Sequence, residues 1–152
     1  MCSTTGRLLK AGMSLDIKKR TRNLYSKHRT NCPFKLAEKM NITILMLPLP
    51  QEVKGYCQRL LKQKYIVIDQ SLSENERRFI CAHELGHMIL HKGFNHYFIT
   101  RSTHFMIGKF ERQANEFAVK LLSCGEQMEQ GEPLEWYLRR CGVPDEMHSY
   151  FF

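Results

Sequence analysis

Two histidines and a glutamate stand in the middle of a strongly apolar segment, as His-Glu-Leu-Gly-His at residues 83–87. Ser73 and Glu76 precede them with the S-x-x-E spacing of a capping box, which predicts that the segment is a helix. Burying three ionisable side chains in such a helix is costly unless each of them finds a partner. The chain must therefore fold so that this helix faces a hydrophobic core and, within it, a polar site.

The spacing of the two histidines suits a single metal ion. On a helix, residues four apart lie on one face about 6 Å apart along the axis, so the imidazoles of His83 and His87 can reach one ion. Glu84 then points to the open side of that ion. Two neutral imidazoles and a carboxylate ligand leave a fourth position for water, which is typical of catalytic zinc sites. The motif therefore predicts one bound zinc ion.

The third zinc ligand has to come from outside the motif. His91 lies about 12 Å along the axis from His83, too far to share one ion, and is interpreted as a helix C-terminal residue favoured by the helix dipole. A carboxylate on the next predicted helix remains. Glu111 lies near the small and apolar residues of that helix, whereas Glu116 lies almost opposite, beside Lys120. Glu111 is therefore favoured over Glu116 as the ligand.

Length and composition describe one globular domain. The chain has 152 residues, of which 43% are hydrophobic and 25% charged, and a chain of this size buries about two thirds of its surface. Residues 1–13 are interpreted as a disordered lead-in and residues 14–152 as a single domain. No apolar run approaches the roughly 20 residues that span a bilayer, and no export signal is recognised. We therefore expect no membrane contact, a cytoplasmic location and free cysteine thiols.

The order of the predicted elements indicates an α+β fold, in which a small antiparallel or mixed sheet is packed by helices. Two helices precede the sheet, and three follow it. The predicted elements are a helix with Ser14 as its N-cap, a helix over 33–40, a buried strand over 42–47, strands over 55–61 and 65–69 in a hairpin that turns at 62–64, the capped motif helix, a helix from about Gly108, and a last helix from Pro133.

Positive charge is concentrated near the N-terminal end of the chain. Residues 1–40 hold ten lysines and arginines against two acidic residues, a net charge of +8, and the remaining residues are neutral in sum. Such a segment suits an acidic partner surface, or it is simply a solvated helix face. The sequence shows no aromatic interleaving, zinc knuckle or helix-turn-helix pattern, so we expect no direct nucleic-acid binding.

The motifs resemble those of the ImmA/IrrE family of zinc metallopeptidases. The resemblance consists of AHELGH followed by LH, of E-x-x-A-N-x-F-A-x-x-L-L beginning at Glu111, and of YIVID upstream, and it extends over about residues 33–122. It implies a zincin core of the gluzincin type, in which His83, His87 and Glu111 hold zinc and Glu84 is the general base. One departure is that Ser-Cys follows the two leucines, where family members often have Met-Pro.

The resemblance also implies a biological role. Members of this family occur in mobile elements, prophages and bacterial stress regulation, where they act against helix-turn-helix repressors and release the genes that these repress. We therefore expect a zinc-dependent, site-specific endopeptidase whose substrate is a helix-turn-helix repressor. The sequence carries no signal for an oligomeric state.

Four further residues are candidates for assisting roles. A second donor to the developing oxyanion is commonly needed, and the segment after the motif helix offers His96, Tyr97 and His104. Asn115, about one turn from Glu111, is placed to orient a ligand through a hydrogen bond. Each of the four also has an ordinary interpretation as a surface side chain.

Two other interpretations compete with the peptidase. In the first, the chain is a metal-stabilised binding module that disarms the repressor by contact, with the basic segment as its docking surface. In the second, it is a structural domain in which the motif is a coincidence. Replacing Glu84 by Gln would leave contact-only anti-repression intact, and a structural domain would contain no zinc when purified.

Overall fold

The computed structural model describes residues 15–93 and 104–152, with residues 104–107 described by their backbone alone. Residues 1–13, the predicted lead-in, lie outside this range. The helices are α1 (Ile17–His28), α2 (Pro33–Lys39), α3 (Glu74–Leu90), α4 (His104–Leu122) and α5 (Leu134–Arg140), followed by a 3-10 helix (Asp145–Phe151), and the strands are β1 (Ile42–Leu47), β2 (Gly55–Leu60) and β3 (Gln63–Asp69).

The three strands form one mixed sheet in the order β1-β3-β2. The central strand β3 runs parallel to β1 and antiparallel to β2, so that Ile66 lies between Ile44 and Cys57. A sheet of three strands needs a cover on its hydrophobic face to be stable, and α2 and α3 both contact this sheet. The predicted α+β fold, with a small mixed sheet packed by helices, is confirmed.

Strand β1 lies at an edge of the sheet and is therefore more exposed than predicted. Of its six residues only Ile42 is buried, whereas Leu45, Met46 and Leu47 are 38%, 38% and 42% exposed. A short apolar run indicates a strand, but it does not tell whether that strand has one neighbour or two. The prediction of a buried strand is wrong.

Strands β2 and β3 form the predicted hairpin, but its turn is tighter than expected. The strands pair as far as Leu60 and Gln63, so the turn consists of Leu61 and Lys62 alone. Both residues have positive φ, 49° and 68°, as a type I′ turn requires. Such a turn is usually marked by Asn-Gly or Asp-Gly, which this sequence lacks, and the expectation of a turn at 62–64 is wrong.

Helix α1 begins at Ile17, two residues later than the predicted N-cap Ser14 would give. The N-cap of α1 is Asp16, whose carboxylate accepts a hydrogen bond from the amide of Lys19 at 2.9 Å. Serine and aspartate are about equally good N-caps, so the local sequence alone could not choose between Ser14 and Asp16. The prediction of Ser14 is wrong, whereas α2 begins at Pro33 as predicted.

The second half of the chain contains one displaced boundary and one unpredicted element. Helix α4 begins at His104, about one turn before the predicted start at Gly108. After α5, which follows Pro133 as predicted, the chain continues into the 3-10 helix, which no pattern in the sequence predicted. This short element contributes to the site described below.

Helices α3 and α4 lie closely against each other in the core. On α4, the side chains of Phe117, Ala118 and Leu121 are fully buried. On α3, a Cβ atom at Gly86 would lie only 3.0 to 3.2 Å from three side-chain atoms of Phe117, closer than carbon atoms pack without strain. The glycine inside the motif therefore permits the close approach of these two helices.

Five of the six cysteines lie within the described residues, 15–93 and 104–152. Of the five cysteines in these ranges, all are free, and Cys57, Cys81 and Cys141 are buried. Burial raises the pKa of the Cys81 thiol far above its usual value, so this residue behaves as a small hydrophobic side chain. Within residues 15–93 and 104–152, no helix is both long enough and apolar enough to cross a membrane.

Candidate metal centre

The predicted capping box is present at the start of α3. The hydroxyl oxygen of Ser73 accepts a hydrogen bond from the amide of Glu76, and the Glu76 carboxylate accepts one from the amide of Ser73 at 2.9 Å. Both bonds satisfy amide groups that the first turn leaves unpaired. The motif thus lies more than two turns inside a well-anchored helix, where His83, Glu84 and His87 are 8%, 2% and 3% exposed.

Glu111 on α4 faces both motif histidines across the interface between the two helices. Its Oε2 atom lies 3.1 Å from Nε2 of His83, and its Oε1 atom lies 3.1 Å from Nε2 of His87. The two Nε2 atoms are 3.2 Å apart. Each residue offers one ligand atom, and these atoms all lie within 4.8 Å of one another. Two imidazoles and a carboxylate therefore converge on one point and could hold a metal ion.

The other ring nitrogen of His83 is held by Asn115. Its Nδ1 atom lies 2.8 Å from Oδ1 of Asn115, on α4. Because an amide oxygen only accepts hydrogen bonds, His83 donates from Nδ1, and Nε2 is the ring nitrogen that faces Glu111. Asn115 therefore occupies the position at which a side chain can orient a ligand.

The other ring nitrogen of His87 contacts a third histidine, which the sequence analysis left outside the site. His91, the C-cap of α3, places its Nδ1 atom 3.0 Å from Nδ1 of His87. Its Nε2 atom lies 2.9 Å from Oε1 of Gln113 on α4. The His91 ring is 5% exposed and lies beside that of Phe110, with the ring centroids 4.2 Å apart.

His91 ends α3 as predicted, but it is buried there rather than exposed to solvent. Burial lowers its pKa from 6.5 to about 4, against the hydrogen bond with Gln113, which acts to raise it. The prediction that His91 is a C-terminal residue of the helix is confirmed, since it is the C-cap of α3. A neutral imidazole gains no charge interaction from the helix dipole, so the contacts with His87 and Gln113 describe its surroundings better. The i, i+4 spacing from His87 is the signal that could have revealed this contact.

Glu116, the alternative third ligand, has a separate partner. Its carboxylate lies 2.7 Å from Nζ of Lys120, one turn further along α4. Such i, i+4 pairs contribute a few tenths of a kcal/mol to a helix, about 0.3–0.5. Glu116 is not one of the three residues that converge, and Glu111 is.

The converging residues open onto a cleft with a volume of about 1080 Å³. Glu84 and Glu111 both line this cleft. One wall comes from the segment before β2 and from Gly55 and Tyr56 at its start, and another comes from the 3-10 helix, including Met147. Pockets for drug-sized ligands are roughly 300–1,000 Å³, so a peptide segment with several side chains can be accommodated.

The candidates for an oxyanion donor cannot be placed in this cleft. His96 and Tyr97 lie outside the described residues, and His104 is described only as the first residue of α4. Tyr56, by contrast, lines the cleft, although no motif in the sequence drew attention to it. Its position follows from the pairing of β2 with β3, which a single strand pattern does not reveal.

The fold and the three converging side chains together are typical of one class of protein. A helix with H-E-x-x-H whose histidines meet a glutamate from a following helix is an arrangement found in metallopeptidases. The chain belongs to the peptidase M78 family, since the family model described as the IrrE N-terminal-like domain matches residues 37–139. The resemblance to the ImmA/IrrE family is thereby confirmed, and the matched range contains α3 and α4.

Two relatives support the same assignment. Over 106 residues the chain is 41% identical to uncharacterized immunity region protein 2 of Bacillus phage phi105, with 70% of this chain and 67% of the relative covered. Over 122 residues it is 30% identical to metallopeptidase ImmA of Bacillus subtilis strain 168, with 79% of this chain and 70% of the relative covered. The names of these relatives refer to a phage immunity region and to a metallopeptidase.

Proposed function

We propose that the protein is a zinc-dependent, site-specific endopeptidase that cleaves a helix-turn-helix repressor in the cytoplasm and so relieves repression of a prophage, a mobile element or a stress regulon. The convergence of His83, His87 and Glu111 beside Glu84, at the edge of a large cleft, is the observation that carries this proposal. The family match and the two relatives support the peptidase class and the link to phage immunity.

The donor set fits zinc. Two imidazole nitrogens and one carboxylate oxygen are ligands that zinc accepts in catalytic sites, and three protein ligands leave a fourth coordination position open. The Nδ1 partners of both histidines leave each Nε2 atom turned towards Glu111. His83, His87 and Glu111 would therefore hold the ion, with Asn115 orienting His83.

Glu84 is placed to move the proton during hydrolysis. It is 2% exposed, follows the ligand His83 directly and lines the cleft. A zinc ion held by His83, His87 and Glu111 would supply Lewis acidity, which would polarise a peptide carbonyl and lower the pKa of a water molecule towards about 7. In this proposal Glu84 accepts the proton of the attacking water and then delivers it to the nitrogen of the leaving peptide.

The first experiment compares the wild type with Glu84→Gln. Each is co-expressed with the helix-turn-helix repressor encoded nearest to its gene, and the intact mass of the repressor is measured. We expect one discrete cut with the wild type and a rate at least about 100-fold lower with Glu84→Gln, because general-base catalysis contributes 10²–10⁴-fold. Zinc content should be equal in the two proteins, because Glu84 is not proposed as a ligand.

Other outcomes would redirect the proposal. A repressor that stays intact but loses its operator with both proteins would indicate the contact-only binding module. Equal cleavage by wild type and Glu84→Gln would contradict the proposed role of Glu84. Purified, untagged protein without any zinc would remove the metal from the proposal.

A further inference from the structure

His91 is a buried polar residue that the mechanism above does not use. It is 5% exposed, and both of its ring nitrogens lie within 3.0 Å of a polar side-chain atom, one on His87 and one on Gln113. A buried polar group that is fully paired in this way usually fixes the geometry of its neighbours. One of those neighbours is a proposed zinc ligand.

The direction of the two hydrogen bonds follows from donor and acceptor chemistry. Oε1 of Gln113 only accepts, so Nε2 of His91 carries a proton. A neutral imidazole has a single ring proton, and Nδ1 of His91 is then an acceptor. The atom opposite it, Nδ1 of His87, must be the donor.

This direction has a consequence for the metal group. A neutral His87 ring that is protonated at Nδ1 has an unprotonated Nε2, which is the atom that a metal ion between His87 and Glu111 would contact. We propose that His91 and Gln113 form a relay of hydrogen bonds that holds His87 in its Nδ1-protonated tautomer and so keeps Nε2 available to a metal ion. His91 and Gln113 are then positioning residues, and the inference rests on the metal site of the proposed function.

The packing around the relay supports this assignment. Phe110 lies beside the His91 ring with a centroid distance of 4.2 Å, which restricts the plane of the imidazole. Gln113 is two residues after Glu111 on α4, and His91 is four residues after His87 on α3. The relay therefore joins the same two helices as the metal group itself, and it can hold the ligand in place before any ion arrives.

The proposed ligands His83 and His87 both have an uncharged hydrogen-bond partner at Nδ1. Each donates its Nδ1 proton to an uncharged acceptor, an amide oxygen of Asn115 for His83 and an imidazole nitrogen of His91 for His87. Carboxylate partners would raise the basicity of the ligands. A variant that introduces a carboxylate at the end of the relay should therefore preserve metal binding, and one that removes the acceptor should weaken it.

Four variants of the full chain separate the relay from general packing. His91→Phe keeps an aromatic ring beside Phe110 but offers no acceptor, and Gln113→Leu removes the far end of the relay at a partly exposed position. Gln113→Glu keeps an acceptor. Arg112→Leu, an exposed neighbour on the same helix, is the matched control.

Two measurements are made on each variant. The first is the zinc dissociation constant, from competition with a chromophoric chelator, and the second is the tautomer of His87 in metal-free protein, from the ¹⁵N resonances of its ring. We expect the dissociation constant to rise about 10- to 100-fold in His91→Phe, as for other partners of metal-bound histidines, and to rise less in Gln113→Leu. Gln113→Glu and Arg112→Leu should bind zinc as the wild type does.

The outcomes distinguish this inference from the proposed function, because neither measurement uses peptide cleavage. A wild-type His87 protonated at Nε2, or an unchanged dissociation constant in both His91→Phe and Gln113→Leu, would overturn the relay even if the repressor is cut. An Nδ1-protonated His87 that loses this preference in the two variants would support the relay even if no repressor is cut. If His91→Phe does not fold, Gln113→Leu and Gln113→Glu still decide the question.

Discussion

Glu111 and Glu116 are five residues apart on one helix, yet their surroundings differ completely. The carboxylate of Glu111 meets two imidazole nitrogens at 3.1 Å, and that of Glu116 meets the ammonium group of Lys120 at 2.7 Å. The periodicity of α4 alone favoured Glu111, because only its side of the helix continues into the buried face. The carboxylate of Glu111 lies beside the two histidines, on the side of α4 that the periodicity predicted.

At the residue scale, the zinc content of two single variants tests the third ligand. Glu111→Ala should lose stoichiometric zinc, because two histidines alone bind the ion much more weakly than three ligands do. Glu116→Ala should keep one zinc per chain and lose about 1 kcal/mol of stability, since it leaves the ammonium group of Lys120, whose side chain is 14% exposed, without this partner. The metal content of gel-filtered protein measures both, and zinc lost from Glu116→Ala alone would overturn the assignment.

Some residues of the site could be anticipated from the sequence, and others could not. The motif histidines share a face because four residues make about one turn of any helix. The contact between His91 and Gln113 depends instead on how α4 is shifted along α3, and the pattern of a single helix does not contain that shift. Tyr56 is a similar case, because the pairing of two strands brings it to the cleft.

At the element scale, the closeness of α3 and α4 decides whether Glu111 can reach the histidines. Gly86 lies between two residues of the motif, and the fully buried Phe117 fills the space that its missing side chain leaves. A glycine inside a helix normally costs about 0.5–1 kcal/mol relative to alanine. At position 86 this loss of helix stability is offset, because a larger residue would push α3 and α4 apart.

The variant Gly86→Ala tests this packing. Its added methyl group would lie 3.0 to 3.2 Å from atoms of Phe117, and overpacking of this kind costs about 1–3 kcal/mol. We therefore expect a net destabilisation of about 1 kcal/mol in urea unfolding, together with weaker zinc binding, because Glu111 moves away with α4.

Gly108→Ala is the matched control, since it places the same methyl group on α4 where the nearest atom is 3.7 Å away. This substitution should stabilise the protein by about 0.5–1 kcal/mol through helix propensity alone. If Gly86→Ala gains as much stability as Gly108→Ala, the proposed role of the motif glycine is wrong.

Elements with strong local signals were predicted well, and those that depend on distant partners were not. The capping box fixed the start of α3, and a proline fixed the start of α2, because both act within one turn. Whether β1 has one neighbour or two depends on the whole sheet. The turn at Leu61 and Lys62 adopts positive φ without the usual residues, because the pairing of β2 with β3 imposes it.

At the scale of the whole molecule, the exposed basic residues of α1 lie outside the lining of the cleft. Lys18, Lys19, Arg20 and Arg22 are exposed on α1, which packs against α4. Among the described residues, those that line the cleft lie between 49 and 147, and none belongs to α1. If this basic face binds the substrate, it must do so outside the cleft.

The salt dependence of cleavage tests this docking role. Replacing the four basic residues of α1 by Ser should lower kcat/KM more at low than at high salt, because exposed charges are screened within a Debye length of about 10 Å at 0.1 M ionic strength. The change should appear in KM and leave kcat close to that of the wild type. An equal effect at both salt concentrations would contradict docking through charge and would leave these residues as a solvated face that aids solubility.

One wall of the cleft comes from residues 144–147, beyond residue 139, where the family match ends. The helices that carry the proposed reaction lie inside the matched range, and this wall lies outside it. Substitutions in this wall would alter the surface that the cleft presents, whereas the residues that converge on one point, His83, His87 and Glu111, belong to other elements. Under the proposed function, the preference for one substrate over another could therefore be altered through residues 144–147, separately from the residues that carry the reaction.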